Sequence, residues 1–265
     1  MGAAPELHDV FPAKFNSFVL NQVDNQSFSP GVEALIAQAG GSVDPALEAV
    51  ASADPRWKFM SRDIQTILQN VALMVGLQVT SGARMQLQRR ANAGAGIYRS
   101  GASHFVLTAP IGYLFIEEFG FERNAKEGGD ISLQFAALFN GTDTPVSINI
   151  SQNLQGVPAV NSVHALGPVV IEGAQLTGVT KWRFKTGMEI EINTGDGETT
   201  SRVCTVQKRA PSLEIEALNQ TFLDSAGIGG FTKPITDGIT CFAQRVLHGG
   251  DRYSWSDSEH ISATI

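Results

Sequence analysis

Apolar and polar residues alternate with a period of two along much of this chain. Trp182 and Phe184 alternate with Arg183 and Lys185, and Met188, Ile190 and Ile192 alternate with Glu189 and Glu191. Successive side chains of a strand point to opposite faces, so this pattern predicts half-buried β-strands. Segments 201–206 and 213–216 continue it, with a turn over 193–199. The first half follows the same path through 32–36, a turn at Gly40 and Gly41, and 57–60. Between the halves, GYLFIEEFGFE and ISLQFAALFNGTDTPVSINIS read as further strands, with Asn140-Gly141 as a hairpin turn. RNAKEGGD reads as a mobile, exposed loop.

Helical spacing is confined to short stretches. Asp63 precedes Ile64, Ile67, Leu68 and Val71, which share one helical face; Asn219 stands before Phe222 and Leu223. Asp and Asn are good N-caps, because their side-chain oxygens accept the free N–H groups of a first turn.

Shifted by 156 positions, the chain aligns with itself without a gap. His8 falls on His164, Phe28 on Phe184, Gly31 on Gly187, Glu33 on Glu189, Gly41 on Gly197, Pro55 on Pro211 and His104 on His260. About 19 identities fall within about 102 positions, where about 6 would arise by chance. The expectation is a mainly β protein with two tandem homologous domains, each with one short flanking helix. The chain divides into 1–110, 111–163 and 164–265, the middle segment being β-rich.

The repeat decides between two readings of GMEIEINTGDGETTSRV, residues 187–203, as a calcium loop or as a hairpin. Asn193, Asp196 and Glu198 correspond to Ala37, Gly40 and Ser42, so the oxygen ligands vanish in the first copy while the glycine at 41 and 197 stays. A turn needs glycine for positive φ, whereas a calcium site needs several oxygens. The hairpin reading follows.

Composition narrows the function classes. Charged residues are 17% of the 265 and hydrophobic ones 43%, enough for a core, with a net charge of −7. That charge argues against binding DNA by phosphate neutralisation, though an acidic surface would let a polyanion pass without adhering. The opening MGAAPELHDV has neither the basic nor the apolar region of a secretion signal, and no run approaches a membrane span. Cys204 and Cys241 match no metal or redox spacing and suit a reducing compartment.

Candidate chemistry is sparse. The paired histidines, His8 with His164 and His104 with His260, have no carboxylate or cysteine motif beside them and read as strand-end residues. Nucleophile-elbow, zincin, phosphate-loop and dinucleotide motifs are absent, so no enzyme, cofactor or metal is expected. Glu189 and Glu191, two residues apart on one strand face, are the nearest approach to an acid pair. The carboxylates Glu33, Glu189, Glu191, Glu214 and Glu216 read instead as strand faces that could present negative charge to a passing polyanion.

LGPVVIEG at 166–173, GV at 178–179, Gly187, the Asp196-Gly197 turn, Pro211 and the terminal HISATI resemble the tail-tube proteins of long-tailed bacteriophages. The resemblance implies β-sandwich or half-barrel domains whose subunits form rings stacked into a tube for DNA. In duplicated members three chains make a pseudo-six-fold ring. It implies a structural virion protein, assembled in the bacterial cytoplasm and located in the tail. Its partners would be other copies of itself and other tail proteins, with DNA passing unbound and no membrane. The five glutamates above would then line the lumen. An alternative from another class is a surface β-sandwich that recognises a receptor or glycan. None of Trp57, Trp182 and Trp255 recurs at the repeat spacing, which weakens a two-site lectin.

Overall fold

The computed structural model describes residues 8–37, 40, 47–89, 104–123, 128–153, 162–171, 173–195, 197–218, 239–249 and 252–264. The described protein is mainly β, with several antiparallel sheets and one short helix. Strands are numbered along the chain. A seven-stranded sheet runs in the order β18 (Ser212–Ala217), β15 (Val179–Lys185), β10 (Ile111–Glu122), β11 (Asp130–Leu138), β6 (Arg56–Ser61), β3 (Val23–Ser29), with β7 (Leu77–Val79) also paired to β10. A five-stranded sheet runs β12 (Ser147–Gln152), β9 (His104–Ala109), β8 (Ala83–Arg89), β1 (His8–Phe15), β2 (Phe18–Val19). A four-stranded sheet runs β14 (Ala174–Leu176), β13 (Ser162–Ile171), β19 (Ile239–Gly249), β20 (Arg252–Thr264). Two hairpins form separate two-stranded sheets, β4 (Val32–Ala37) with β5 (Leu47–Ala53), and β16 (Glu189–Thr194) with β17 (Ser201–Lys208).

The alternation read from the sequence sets which face of the large sheet is buried. Trp57 and Phe59 on β6 point inward while Lys58 is exposed; Trp182 and Phe184 on β15 do the same against Lys185. Their inner face joins one hydrophobic core with Phe15, Leu20 and Met85 of the first half and Val169, Ile171 and Cys241 of the second. Aromatic contacts run through it: Phe15 stacks on Phe59 at 5.4 Å, Trp57 lies 4.9 Å from Phe135, and Phe121 lies 4.8 Å from Trp182. Helix α1 (Ile64–Asn70) buries Ile64 and Ile67 in this core, and the Asp63 carboxylate accepts from the Thr66 N–H as the N-cap. The second expected helix, after Asn219, lies outside the described residues, as do Gly41 and residues 124–127 of the RNAKEGGD loop.

Of the strands in 111–163, β10 and β11 are central in the large sheet and β12 is an edge strand of the five-stranded one. Strands β10 and β11 form the central hairpin of the large sheet, with β6 and β3 on one side and β15 and β18 on the other. The expectation of a hairpin at Asn140-Gly141 is corrected. Strand β11 pairs with β10 and β6, whereas β12 crosses to the other sheet and pairs with β9. Asn140 Oδ1 accepts from the backbone N–H of Thr142 and Asp143, and Gly141 has φ +91°. An Asx turn of this kind reverses the chain equally well between sheets and within a hairpin.

Adding 156 to a residue number carries one set of ladders onto another. The pairs Val23–Ser61, Ser27–Lys58 and Phe28–Trp57 map onto Val179–Ala217, Arg183–Glu214 and Phe184–Leu213. His8–Arg89 maps onto His164–Arg245, and Lys14–Val19 onto Val170–Gln175. Gly31 and Gly187 share φ values of +58° and +55°, and each carbonyl accepts from the residue 23 positions on, Asp54 or Ala210, at 3.1 Å.

Candidate interaction face

The face of the large sheet turned away from the core carries its charge. The register sets Glu216 beside Lys181, Glu214 beside Arg183 and Ser212 beside Lys185; Glu118 pairs with Lys185, and Gly120 with Arg183. Lys181 donates to Glu216 at 2.8 Å, and that hydrogen bond holds its amine above the usual lysine range. The Arg183 guanidinium reaches Glu118 at 2.8 Å and Asp130 at 3.1 Å, spanning three strands. Lys58 meets Glu117 at 3.0 Å. Gln134, buried between them, donates its amide to Glu117 and accepts from Arg56. Solvent screens these exposed and partly exposed pairs, so they order the face more than they stabilise the fold.

The five glutamates singled out from the sequence divide into two groups. Glu214 and Glu216 lie on this face, on β18, ion-paired to Lys181, with Lys185 also reaching Glu214 at 3.7 Å. Glu33, Glu189 and Glu191 lie on the two separate hairpins. Glu189 pairs with Lys208 at 3.1 Å, and Glu33 accepts from Ser52 Oγ at 3.2 Å, two interactions at equivalent places in the repeat. The chain leaves the sheet between Glu189 and Lys185 at Thr186 and Gly187. Thr186 is buried, its hydroxyl donating to the Ile116 carbonyl at 2.7 Å, and Gly187 takes positive φ. The sheet face is therefore mixed in charge: Glu117, Glu118 and Asp130 were not apparent as partners in the sequence, because cross-strand register is not written in a strand's own alternation.

Strands β16 and β17 pair through Ile190–Val206 and Ile192–Cys204, and Gly197 has φ +75° in their turn. Among the described residues no group of three His, Cys, Asp or Glu side chains converges as a metal site. His104 and His164 are buried in β9 and β13. Cys241 is fully buried and Cys204 partly so; burial pushes their thiols up to about 12 and about 11. Neutral thiols of this kind are poor nucleophiles and poor metal ligands at neutral pH.

The turn end of the second hairpin is seated on the rest of the chain. The Phe139 N–H donates to the Ser201 carbonyl at 2.8 Å, the Ala53 N–H to that of Thr199 at 2.7 Å, and Ser201 Oγ donates to the Asp54 carboxylate. The Arg202 guanidinium lies 5.2 Å above the Phe139 ring. Cys204 lies within electrostatic reach of Arg56 and Tyr113, and burial raises the Tyr113 phenol above its ordinary range.

No protein-family model matches the chain, and no curated protein is significantly similar to it.

Proposed function

We propose that this protein is a structural, non-catalytic tail-tube subunit of a long-tailed bacteriophage, built from two tandem copies of one β-domain. Copies of the chain join head to tail through their large sheets, and the resulting rings stack into a conduit for DNA. One observation carries this reading. The six-strand path from β3 to β18 alternates direction at every step, so its first and last strands run in opposite directions. Neither strand has a second partner among the described residues. Rotating a second copy about an axis parallel to the strands brings its β3 alongside β18 in antiparallel order, so identical copies can continue one sheet until it closes. Closure also removes two open edges, which are an aggregation hazard in a monomer.

The coincidence of ladder registers at a spacing of 156 supports the duplication, and with it a ring of three chains with pseudo-six-fold character. The charged sheet face is the surface proposed to line the lumen. Its carboxylates are mostly matched by Lys and Arg, and the whole chain carries −7, so DNA passes without specific binding. Neighbouring tail proteins and other rings are the remaining partners, in the virion tail.

Negative-stain imaging and sedimentation of the purified full chain test the reading. Rings or tubes of three chains are expected. Their seams alternate, because β11 and β10 separate β6 from β15 within a chain, whereas β18 and β3 meet directly between chains. A protein that stays monomeric at high concentration, or stops at a two-fold dimer, overturns the proposal. Assembly with a glycan instead of itself would point to the surface-recognition alternative.

A further inference from the structure

The two hairpins that leave the large sheet share a register but not an environment. Ala34–Val50 and Ile36–Glu48 on β4 and β5 map onto Ile190–Val206 and Ile192–Cys204 on β16 and β17. In the second hairpin, Ile190, Ile192, Cys204 and Val206 are half-buried, while Glu189, Glu191, Thr205 and Gln207 on the opposite face are exposed. The covered face lies toward Arg56 and Tyr113, which the register aligns across β6, β11 and β10 of the large sheet. A hairpin of the second half is thus seated on a sheet formed by the first half and the middle segment.

The first hairpin keeps Ile36 and Val50 at the positions of Ile192 and Val206, has Ala34 and Glu48 at those of Ile190 and Cys204, and lacks the seat. Ile36 is 61% exposed and Val50 51%, at positions whose counterparts Ile192 and Val206 are half-buried. Val32, on the same strand face, is 53% exposed. Two strands alone are marginal in water, and a clustered apolar face on them marks a contact surface.

We infer that the Ala34–Ile36–Val50 face of this hairpin is covered by a second copy of this chain, which offers the β18 end of its large sheet around Ser212. The inference rests on the head-to-tail reading above and specifies its contact. Ser212 is the position equivalent to Arg56 on β6, the strand that pairs with β11, against which β17 packs within the chain. The geometry is also consistent at the seam. Strand β3 leads directly into β4 through Gly31, so a copy whose β3 lies along its neighbour's β18 brings its hairpin over that neighbour's sheet. Within the chain the second hairpin leaves β15, which lies along β10, and β17 packs on β11.

The test is the double variant Ile36→Lys/Val50→Lys in the full chain, beside Leu35→Lys on the opposite hairpin face and the milder Ile36→Ala/Val50→Ala. Sedimentation velocity across a concentration series reads assembly, and thermal melting of dilute protein reads folding. Both positions are exposed in the single chain, so melting is expected to stay unchanged. The lysine pair is expected to abolish assembly and the alanine pair to raise the concentration it requires by about tenfold or more, with Leu35→Lys close to the parent. If the alanine and lysine pairs both assemble at the parent's concentration, the hairpin contact is wrong while the tail-tube reading stands. If the parent forms only two-fold dimers that the lysine pair dissolves, the hairpin face lies between copies but its seat on β18 and the ring are both overturned. A monomeric parent overturns both.

Discussion

Gly31 and Gly187 show how one residue type can be demanded by a backbone. Each has positive φ, and a Cβ at either would meet a carbonyl oxygen, that of Asp54 at 2.1 Å or Ala210 at 2.2 Å. Gly197 has φ +75° with nothing near its missing Cβ. Replacing Gly197 with Ala should therefore cost only the left-handed conformational penalty, about 1 kcal/mol. Gly31→Ala and Gly187→Ala should each cost more, about 2–3 kcal/mol, because the backbone must also move away. Urea unfolding of the three variants measures the difference. Equal costs would show that the carbonyl contact does not constrain the turn. Gly197 was read from the sequence as a turn residue, and Gly31 and Gly187 as an identical pair in the self-alignment. The close carbonyl was not, because it comes from a residue 23 positions away.

At the scale of elements, the local signals were the legible ones. Asp63 before Ile64 and Ile67 marked a helix start, and the structure has α1 there with the Asp63 carboxylate on the Thr66 N–H. The same carboxylate is 3.4 Å from the Asn21 N–H, so it also ties the helix to the chain before β3. Asp63→Ala is expected to lower stability by about 1–2 kcal/mol, and Asp63→Asn by clearly less, since it retains a capping oxygen. Thermal melts that do not separate the two variants would assign the loss to something other than capping. The strands β6, β15 and β18 were legible from alternation for a similar reason: one face of each meets the core whatever its neighbours are. Their neighbours were not legible. Backbone hydrogen bonds are alike for every strand, so nothing in Asn140-Gly141 said that β12 would leave for another sheet.

At the scale of the molecule, the two halves share one core. Trp57 packs on Phe135 and Trp182 on Phe119 and Phe121, and β10 and β11 join the two clusters through one ladder with a register shift between Ile116 and Glu118. The Gly129 N–H donates to the His164 carbonyl, and Ala53 to Thr199, across the same division. A single cooperative transition is therefore expected on urea unfolding, with tryptophan fluorescence and far-ultraviolet circular dichroism coinciding. Two separated transitions would show that the halves are energetically independent despite the shared sheet.

The sequence alone determined the strand periodicity, the turn glycines, the helix cap and the 156-residue self-similarity, because each depends on residues close together or on comparison of one residue with another. It also placed five glutamates on strands. Only the tertiary structure decided that Glu214 and Glu216 join Lys181 on the large sheet while Glu33, Glu189 and Glu191 leave it on hairpins. It also put β10 and β11 at the centre of the large sheet and, among the described residues, left β3, β18 and the Ile36–Val50 face open. Alternation specifies which side of a strand is buried; the partner across the ladder is selected by the packing of the whole core, a non-local choice that no single segment encodes.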